Sequence, residues 1–420
     1  MQDYVKEKVL MTRNEECRAC KGRNLARVFS FGPTPPANAF LRREDLGKPE
    51  LWFPLDVYFC QDCTLLQLLD VVSPDLLFRD YVYVSSTAPS FVAHFESFAR
   101  AVHSRFGLTP ASLAVDIGSN DGILLSPFKK IGVRVLGIDP AVKIAARATA
   151  EGIETLPFFF NPALAKKLGE ERGRASVVTG TNVFAHINGW HDLLEGVKNL
   201  LAPDGVFIVE APYAVDFLEK NLFDTVYHEH LSYIAIRPLM RLFPSHGMEI
   251  FDVQKVPVHG GTVRIFVKHK GAAHPRENAV QRFLDDEGKR GLGELKTYLD
   301  FGKKVEENKK RLSTLLHGLK AEGKRIAGYG APAKGNTLLN YFKIGRDILD
   351  YIVDDSVWKQ GLYTPGTHIP VVAREELVFR PPDYVLILAW NFAEEIMEKL
   401  GACKSAGGKF IIPVPEPQVV

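Results

Sequence analysis

Four of the five cysteines form two identical pairs with the spacing of metal ligands. The pairs are Cys17-x-x-Cys20 and Cys60-x-x-Cys63, while Cys403 stands apart. Two such pairs can place four thiolates at the corners of a tetrahedron, the arrangement that structural Zn²⁺ prefers. Because all four positions would be filled, the sequence predicts a structural zinc ion with no open position for catalysis. A redox pair or a chance spacing is the alternative interpretation.

An acid, a base and a phenol lie close together in the segment 223–233, FDTVYHEHLSY. A histidine, with an ordinary pKa of about 6.5, suits proton abstraction near neutral pH, and an adjacent carboxylate can fix its tautomer. In an extended strand Tyr227 and Glu229 would share one face, with His228 and His230 on the other. A turn would instead bring Tyr227, Glu229 and His230 together. We predict a catalytic cluster here, with a purely structural cluster as the alternative.

A glycine turn, VDIGSNDG at 115–122, follows an apolar run and carries two acidic residues. Asp116 and Asp121 would repel a pyrophosphate but tolerate the sulfonium and ammonium groups of S-adenosylmethionine. Asp139 closes the next apolar run about 20 residues later, the position that accepts ribose hydroxyls in such folds. A generic α/β turn is the alternative. The predicted cofactor contacts are Asp116, Gly118, Asn120, Asp121, Gly122, Asp139, Pro140, Asn161 and Asn182.

A second glycine turn, GYGAPA at 328–333, matches G-x-G-x-x-A and has no carboxylate. Its backbone N–H groups and the following Lys334 could meet the diphosphate of a dinucleotide or of a nucleotide sugar. The glycine pair in VHGGTVR at 258–264 would allow close backbone approach to a ligand. A packing turn and a β-bulge are the respective alternatives. The predicted substrate contacts are His259, Gly260, Gly261, Tyr329, Gly330, Lys334, Asn336 and Asp354.

Apolar strands that alternate with helical patterns must position these turns. Such alternation predicts an α/β class with parallel sheets that have helices on both faces. The charge-rich stretch 275–323 has a helical period, and we interpret it as solvated surface helices. The predicted strands are Leu113–Ile117, Val135–Ile138, Ser176–Thr179, Gly205–Val209, Arg325–Gly328, Tyr351–Val353 and Tyr384–Ala389.

Length and charge limit the remaining classes of function. The 420 residues are enough for two to four domains, and 52 Lys and Arg against 50 Asp and Glu leave a formal net charge of +2. This balance provides no global field for nucleic acid or anionic lipid. With no apolar run of membrane-spanning length and no signal-like N-terminus, we expect a cytoplasmic protein with reduced thiols.

Taken together, these motifs resemble the sugar C-methyltransferases that act on nucleotide-linked 4-keto-6-deoxyhexoses. The resemblance extends nearly from end to end and includes TPGTHIPV at 364–371 and LAWNFAEEI at 388–396. It implies three domains. A zinc module (1–75) is followed by a Rossmann-like S-adenosylmethionine domain (76–272) and by a Rossmann-like C-terminal α/β domain that holds the sugar nucleotide (273–420). It also implies a small-molecule partner, a thymidine- or guanosine-diphosphate-linked sugar, and neither nucleic acid nor membrane.

The resemblance also assigns roles to single residues. His230 is similar to the family's proton-abstracting histidine, with Tyr227 and Glu229 beside it, while His186 and either Tyr81 or Tyr83 resemble sugar-contacting groups. The family has an acidic residue where this chain has His228, which leaves the base open between His230 and Tyr227. The implied reaction removes the C3 proton beside a C4 ketone and methylates the resulting enediolate. An NAD-dependent oxidoreductase, a zinc-bearing scaffold and an O- or N-methyltransferase are the competing hypotheses.

Overall fold

The fold is known from a computed structural model, and its strands form sheets of two, seven, four and six strands. The structure describes residues 9–79, 89–258, 260–405 and 407–420. Three predicted site residues, Tyr81, Tyr83 and His259, lie outside the described residues.

The N-terminal unit is a small antiparallel sheet that carries the four paired cysteines. Along β3 buried side chains alternate with half-buried ones, as expected of a strand with one face on a core. Strands β2, β3 and β4 pair in chain order, and β1 pairs with β5. The elements are β1 (Met11–Arg13), β2 (Leu25–Thr34), β3 (Phe53–Cys60), β4 (Leu66–Leu68), β5 (Asp70–Val72) and α1 (Pro74–Phe78).

The central unit contains the seven-stranded sheet and most of its covering helices. Two 3₁₀ turns, Phe184–His186 and Phe223–Thr225, interrupt the regular elements. The elements are α2 (Pro89–Phe106), β6 (Leu113–Ile117), α3 (Leu125–Lys130), β7 (Arg134–Ile138), α4 (Val142–Ala150), β8 (Thr155–Leu156), α5 (Pro162–Arg172), β9 (Ala175–Thr181), α6 (Trp190–Leu200), β10 (Leu201–Pro212), α7 (Ala214–Glu219), β11 (Ser232–Tyr233), α8 (Ile236–Ser245), β12 (Met248–Val256) and β13 (Thr262–His269).

The order of this sheet, β12-β13-β10-β9-β6-β7-β8, places the candidate cofactor turn at its switch point. Strands β8, β7, β6, β9 and β10 are parallel, and β13 runs antiparallel to β10. The chain order of the strands reverses between β6 and β9. In open α/β sheets ligands bind beyond the carboxyl ends of the strands at such a point. The turn after β6 lies there.

The C-terminal unit is a second, mostly parallel sheet of order β16-β15-β14-β17-β18-β19. Strand β19 alone in this sheet pairs antiparallel, with β18. The elements are α9 (Asn278–Lys289), α10 (Leu295–Ala321), β14 (Ile326–Tyr329), α11 (Ala333–Phe342), β15 (Ile352–Val353), β16 (Val371–Val372), α12 (Glu376–Phe379), β17 (Tyr384–Ile387), α13 (Ala393–Lys399), α14 (Gly401–Ser405), β18 (Lys409–Ile412) and β19 (Gln418–Val419).

The prediction that the helices of 275–323 are only solvated surface helices is wrong for α10. Its residues Tyr298, Phe301 and Leu312 are buried in a core that also takes residues from the N-terminal unit. The ring of Phe301 lies 5.6 Å from that of Phe29 on β2. The charged residues occupy the other faces of the helix, so the high charge concealed an apolar stripe that joins two units.

Candidate active site

The two cysteine pairs have the same local geometry and meet around one point. In both pairs the residue after the second cysteine, Lys21 or Thr64, has a positive φ. This residue donates its N–H to the carbonyl of the first cysteine. The four Sγ atoms lie within 4.8 Å of one another, and the pairs Cys17–Cys63 and Cys20–Cys60 are each 3.6 Å apart. Thiolates about 2.3 Å from a tetrahedral zinc ion have similar separations. The four cysteines therefore fit a zinc ion.

The turn after β6 is closed by hydrogen bonds from the neighbouring strand. Gly118 has a φ of +73° and donates its N–H to the carbonyl of Ile138. The carboxylate of Asp139 accepts the N–H groups of Asn120 and Ala141, each at 2.9 Å. Each carboxylate oxygen keeps lone-pair capacity, so Asp139 can still accept ribose hydroxyls.

Asp116 takes part in a bond between strands beneath this turn. It is 2 % exposed, and its Oδ1 accepts the hydroxyl of Thr179 on β9 at 2.6 Å. Burial raises the pKa of Asp116 to about 7, although the hydrogen bond from Thr179 opposes the shift. The residue thus places a titratable acid under the predicted cofactor site.

Unpartnered polar atoms at this sheet edge fit a polar cofactor. Asn182 follows β9 with a φ of +56° and donates its N–H to the carbonyl of Glu210. Its Oδ1 atom and the Oγ of Ser119 are buried, with no hydrogen-bond partner in the described part of the chain. Buried polar atoms normally have partners. With the carboxylate of Asp139, these atoms could hold S-adenosylmethionine.

Two other predicted cofactor residues, Gly122 and Asn161, have structural contacts. Gly122 has a φ of +79°, and a Cβ there would lie 2.9 Å from the side chain of Ile153. Asp121 is buried in the same turn, and Pro140 follows Asp139 directly. Asn161 is exposed and caps α5 by accepting the N–H of Leu164 at 2.9 Å. The structure thus assigns Asn161 a helix-capping bond, which the sequence prediction did not foresee.

The histidine segment forms a turn that brings the phenol and the imidazole together. The N–H of His230 donates to the carbonyl of Tyr227 at 2.8 Å. The Nδ1 atom of His230 lies 2.7 Å from the carbonyl oxygen of Thr225, and its Nε2 lies 2.7 Å from the Tyr227 hydroxyl. A carbonyl oxygen can only accept, so Nδ1 carries the proton and Nε2 accepts the hydroxyl of Tyr227. His230 is thereby held in one tautomer.

The two neighbouring histidines differ in what they contact. His186 is half-buried with its ring 4.9 Å from that of His230, and burial together with His230 holds the pKa of His186 well below its ordinary value. His228 contacts the N-terminal unit instead. It is 1 % exposed, and its Nε2 donates to the carbonyl of Phe53 at 3.2 Å. Burial lowers the pKa of His228 to about 4. The unusual residue at 228 is therefore a neutral contact to the N-terminal unit.

Glu229 connects the histidine segment to a cavity in the N-terminal unit. Its Oε1 accepts the side-chain amide of Asn38 at 2.7 Å, and Glu229 itself is 2 % exposed. Both residues line a cavity of about 440 Å³ whose other walls are the loop 35–51 and the pair Leu76–Leu77. Asn336 ties α11 to the same loop, because its amide donates to the carbonyl of Ala37 at 2.7 Å.

The turn after β14 is closed in the same manner as the turn after β6. Gly330 has a φ of +83°, and a Cβ there would lie 2.7 Å from Ala389. The carboxylate of Asp354 accepts the N–H of Ala331 at 2.7 Å and that of Ser356 at 2.8 Å. The Tyr329 hydroxyl, predicted to contact substrate, donates to Asp355 at 2.9 Å.

Lys334, at the start of α11, faces the central unit. Its Nζ lies 3.9 Å from the ring centre of Trp390 and donates to the side chain of Asn391. Burial lowers the pKa of Lys334 to about 8, with the nearby Asp224 acting against the shift. A Cβ at Gly260 would lie 3.9 Å from the same Trp390 ring. Two predicted substrate regions therefore meet at this tryptophan.

The second glycine of that pair approaches a protein carboxylate. Gly261 has a φ of +136°, and a Cβ there would lie 2.1 Å from Asp216. Asp216 is 1 % exposed and forms ion pairs with Lys220 at 2.9 Å and Lys255 at 3.1 Å. The close backbone approach that the sequence predicts at 261 is thus toward this ion-paired carboxylate.

Sequence reasoning missed several residues at the site. Asn38 is 191 positions from Glu229, and Trp390 is 166 positions from Asp224, whose Oδ2 accepts its indole N–H at 2.6 Å. Glu210 is fully buried near the end of β10. Its carboxylate lies 2.6 Å from His94 and 2.8 Å from Arg264. Asp224 lies in the motif FDTVYHEH and Trp390 in the motif LAWNFAEEI, but no periodic pattern in the sequence indicates that the two residues are in contact.

Three family models match successive parts of the chain. Residues 17–78 match a model described as "Putative zinc binding domain", and residues 92–253 match one described as "Methyltransferase domain". Residues 257–415 match a model described as "C-methyltransferase C-terminal domain".

Similar proteins and solved structures cover different shares of the chain. C-methyltransferase NovU of Streptomyces niveus is 41% identical over 406 residues, which is 97% of each chain. A ubiquinone biosynthesis O-methyltransferase of Methylobacterium sp. (strain 4-46) is 25% identical over 191 residues, 41% of this chain and 75% of its own. A solved S-adenosylmethionine-dependent methyltransferase from Clostridium acetobutylicum ATCC 824 is 14% identical, covering 43% of this chain and 92% of its own at a TM-score of 0.35.

The matches confirm the predicted S-adenosylmethionine-dependent methyltransferase fold and the zinc-binding N-terminal domain with its four cysteines. Among the helices of the described ranges, none has the length and apolar character to cross a membrane. Because the chain is 41% identical to NovU over nearly all of both chains, and residues 257–415 match a C-methyltransferase model, the chain belongs to the C-methyltransferase family.

Proposed function

We propose that this C-methyltransferase adds a methyl group to C3 of a nucleotide-linked 4-keto-6-deoxyhexose. The observation that carries the proposal is the hydrogen-bonded chain from Tyr227 through His230 to the Thr225 carbonyl. Carbon methylation needs a base to remove a proton from carbon, and a C4 ketone makes the C3 proton acidic enough for a side-chain base. In O-methylation the proton would leave a hydroxyl instead.

Tyr227 and His230 act together as the base. The lone pair of His230 Nε2 already accepts the Tyr227 hydroxyl, so a proton that reaches this pair can rest on Nε2. The imidazolium so formed is stabilised by the Thr225 carbonyl, which accepts the Nδ1 proton. The Nδ1–H bond holds the ring in the orientation that presents Nε2 to the phenol.

His186 and Glu229 flank this base with opposite capacities. A neutral His186 can donate a hydrogen bond to the oxygen at C4, where negative charge develops as the proton leaves. Glu229 lines the 440 Å³ cavity, and its carboxylate can accept a sugar hydroxyl there. Asn38 fixes the orientation of that carboxylate.

Two further regions bind the remaining parts of the reactants. Bound S-adenosylmethionine supplies the methyl group that the C3 electron pair takes up. Asp139 and Asn182 at the switch point of the central sheet hold its polar groups. Lys334 at the start of α11 supplies a positive charge for the diphosphate of the sugar nucleotide.

Exchange of the C3 proton tests the proposal. The enzyme is incubated in D₂O with S-adenosylhomocysteine and a thymidine- or guanosine-diphosphate-linked 4-keto-6-deoxyhexose, and deuterium at C3 is followed by NMR. We expect exchange with the wild type and at least about a hundredfold slower exchange with His230→Asn. His317→Asn, a substitution of an exposed histidine on α10, is the control. Exchange that is undiminished in His230→Asn would remove His230 from the base.

A further inference from the structure

The carbonyl that holds His230 belongs to a short turn made of Phe223, Asp224 and Thr225. The turn is a single 3₁₀ helix, and Phe223 and Asp224 are completely buried. The third residue, Thr225, supplies the carbonyl that accepts the Nδ1 proton of His230 at 2.7 Å. The direction of this carbonyl therefore depends on what holds the turn.

The C-terminal unit clamps the turn at two points. The indole N–H of Trp390 donates to Oδ2 of Asp224 at 2.6 Å. The ring of Phe223 stacks on Phe342 of α11, with ring centres 5.2 Å apart and planes inclined by 14°. Both contacts cross between the units. Side chains more than 100 residues away thus help to hold the Thr225 carbonyl, together with the local bonds from the N–H and hydroxyl of Thr225 to the carbonyl of Leu222.

The Trp390 side chain has two separate contacts. Its ring face lies under the Nζ of Lys334 at 3.9 Å, while its edge N–H reaches Asp224. Replacement of the indole by a phenyl ring would keep an aromatic face for Lys334 and remove the donor to Asp224. The two roles are therefore chemically separable.

We propose that Trp390 is a positioning residue for the base, acting through its hydrogen bond to Asp224 and the carbonyl of Thr225. The proposal rests on the function proposed above for His230. The docked C-terminal unit fixes the tautomer of His230, so that Nδ1 is protonated and Nε2 faces Tyr227. Without the Trp390 bond the turn can rotate, and His230 is expected to sample the other tautomer.

Trp390→Phe tests this positioning role, and Trp358→Phe in the same unit is the matched control because Trp358 is 69 % exposed. For Trp390→Phe we expect kcat to fall about tenfold with KM changed less than about twofold. Selective ¹⁵N labelling of histidine should show the two ring nitrogens of His230 moving toward an average of both tautomers. The control should keep the wild-type kcat and ¹⁵N shifts.

Substitutions at Asp224 separate the hydrogen bond from its charge. Asp224→Asn retains an acceptor for the indole and should stay within about threefold of wild-type kcat, whereas Asp224→Ala should fall as far as Trp390→Phe. The double variant Trp390→Phe/Asp224→Ala should be no worse than Asp224→Ala, because both changes remove the same contact. Equal losses in Asp224→Asn and Asp224→Ala would contradict the proposal and favour an ion pair with Lys334.

The outcomes distinguish this proposal from the function on which it rests. Wild-type kcat and unchanged His230 ¹⁵N shifts in Trp390→Phe would overturn the positioning role, whatever His230 does. Full C3 exchange in His230→Asn would overturn the role of the base even if Trp390→Phe alters the tautomer. A variant that no longer binds S-adenosylhomocysteine counts as misfolded, and Asp224→Asn against Asp224→Ala then decides the question.

Discussion

The turns after β6 and β14 close in the same manner but differ in the charged groups around them. In each, an aspartate after the neighbouring strand accepts a backbone N–H of the turn, Asp139 from Asn120 and Asp354 from Ala331. Asp116 lies two residues before Gly118 in the central turn. The residue two positions before Gly330, the corresponding glycine of the C-terminal turn, is Gly328. The shared bonds reflect the backbone needs of a strand-turn-helix unit, so the choice of ligand depends on the side chains around it.

The charges around the two turns predict two kinds of ligand. Carboxylates surround the central turn, and a sulfonium or ammonium group is favoured there. At the other turn Lys359 lies 3.5 Å from Asp354 and donates to the carbonyl of Ala331, and Lys334 follows on the helix. The ammonium groups of these two lysines suit a diphosphate, although Asp354 and Asp355 bond the same turn.

Removal of the closing aspartate should produce the largest difference between the turns. Asp139→Ala leaves the N–H groups of Asn120 and Ala141 without their acceptor and removes the predicted ribose contact. We expect about a hundredfold weaker binding of S-adenosylhomocysteine by calorimetry. The matched variant Asp354→Ala should leave that affinity unchanged and lower the melting temperature instead. Equal weakening by both variants would contradict the assignment of the cofactor to the central turn.

Loss of the positive charge should have the next largest effect, at the other turn. Lys334→Met is expected to weaken thymidine or guanosine diphosphate binding about tenfold without changing S-adenosylhomocysteine affinity. Lys343→Met, at the far end of the same helix, is the control. Because the pKa of Lys334 is lowered to about 8, its charge is present below that pH and lost above it. Diphosphate affinity should therefore fall between pH 7 and 9, and a flat profile would argue against Lys334.

The smallest expected effect concerns the buried acid under the central turn. The pKa of Asp116 in the folded protein, about 7, exceeds its unfolded value, so the folded state binds the proton more tightly. Its contribution to stability therefore decreases as pH rises through 7. Between pH 6 and 8 the wild type should lose about 1 kcal/mol more unfolding free energy than Asp116→Asn. Denaturant titrations at both pH values measure this difference, and parallel losses would show that Asp116 does not titrate there.

Strands and turns were accessible from the sequence because their signals are local. The predicted strand Leu113–Ile117 is the observed β6, and the others differ by a few residues at their ends. Buried parallel strands are continuous apolar runs between turn residues, and such runs are easily recognised. The stretch 275–323 was misinterpreted because many charges masked the buried positions of α10.

The site was predicted less completely because its contacts are distant in sequence. The cysteine pairs and the turn alternative for 227–230 follow from local spacing. The structure shows the cysteine cluster and a turn that joins Tyr227 to His230, while Glu229 bonds Asn38. The bonds from Asn38 to Glu229 and from Trp390 to Asp224 depend on how the units dock. Docking is determined by shared cores, which a pattern along one segment does not reveal.

Product analysis tests the central claim most directly. The zinc-loaded enzyme is incubated with S-adenosylmethionine labelled with ¹³C in its methyl group and with the thymidine- or guanosine-diphosphate-linked 4-keto-6-deoxyhexose. We predict a new methyl signal coupled to a quaternary C3 of one of the two sugars. A methyl group on oxygen or nitrogen, or no transfer to either sugar by enzyme that binds S-adenosylhomocysteine, would contradict the proposed function.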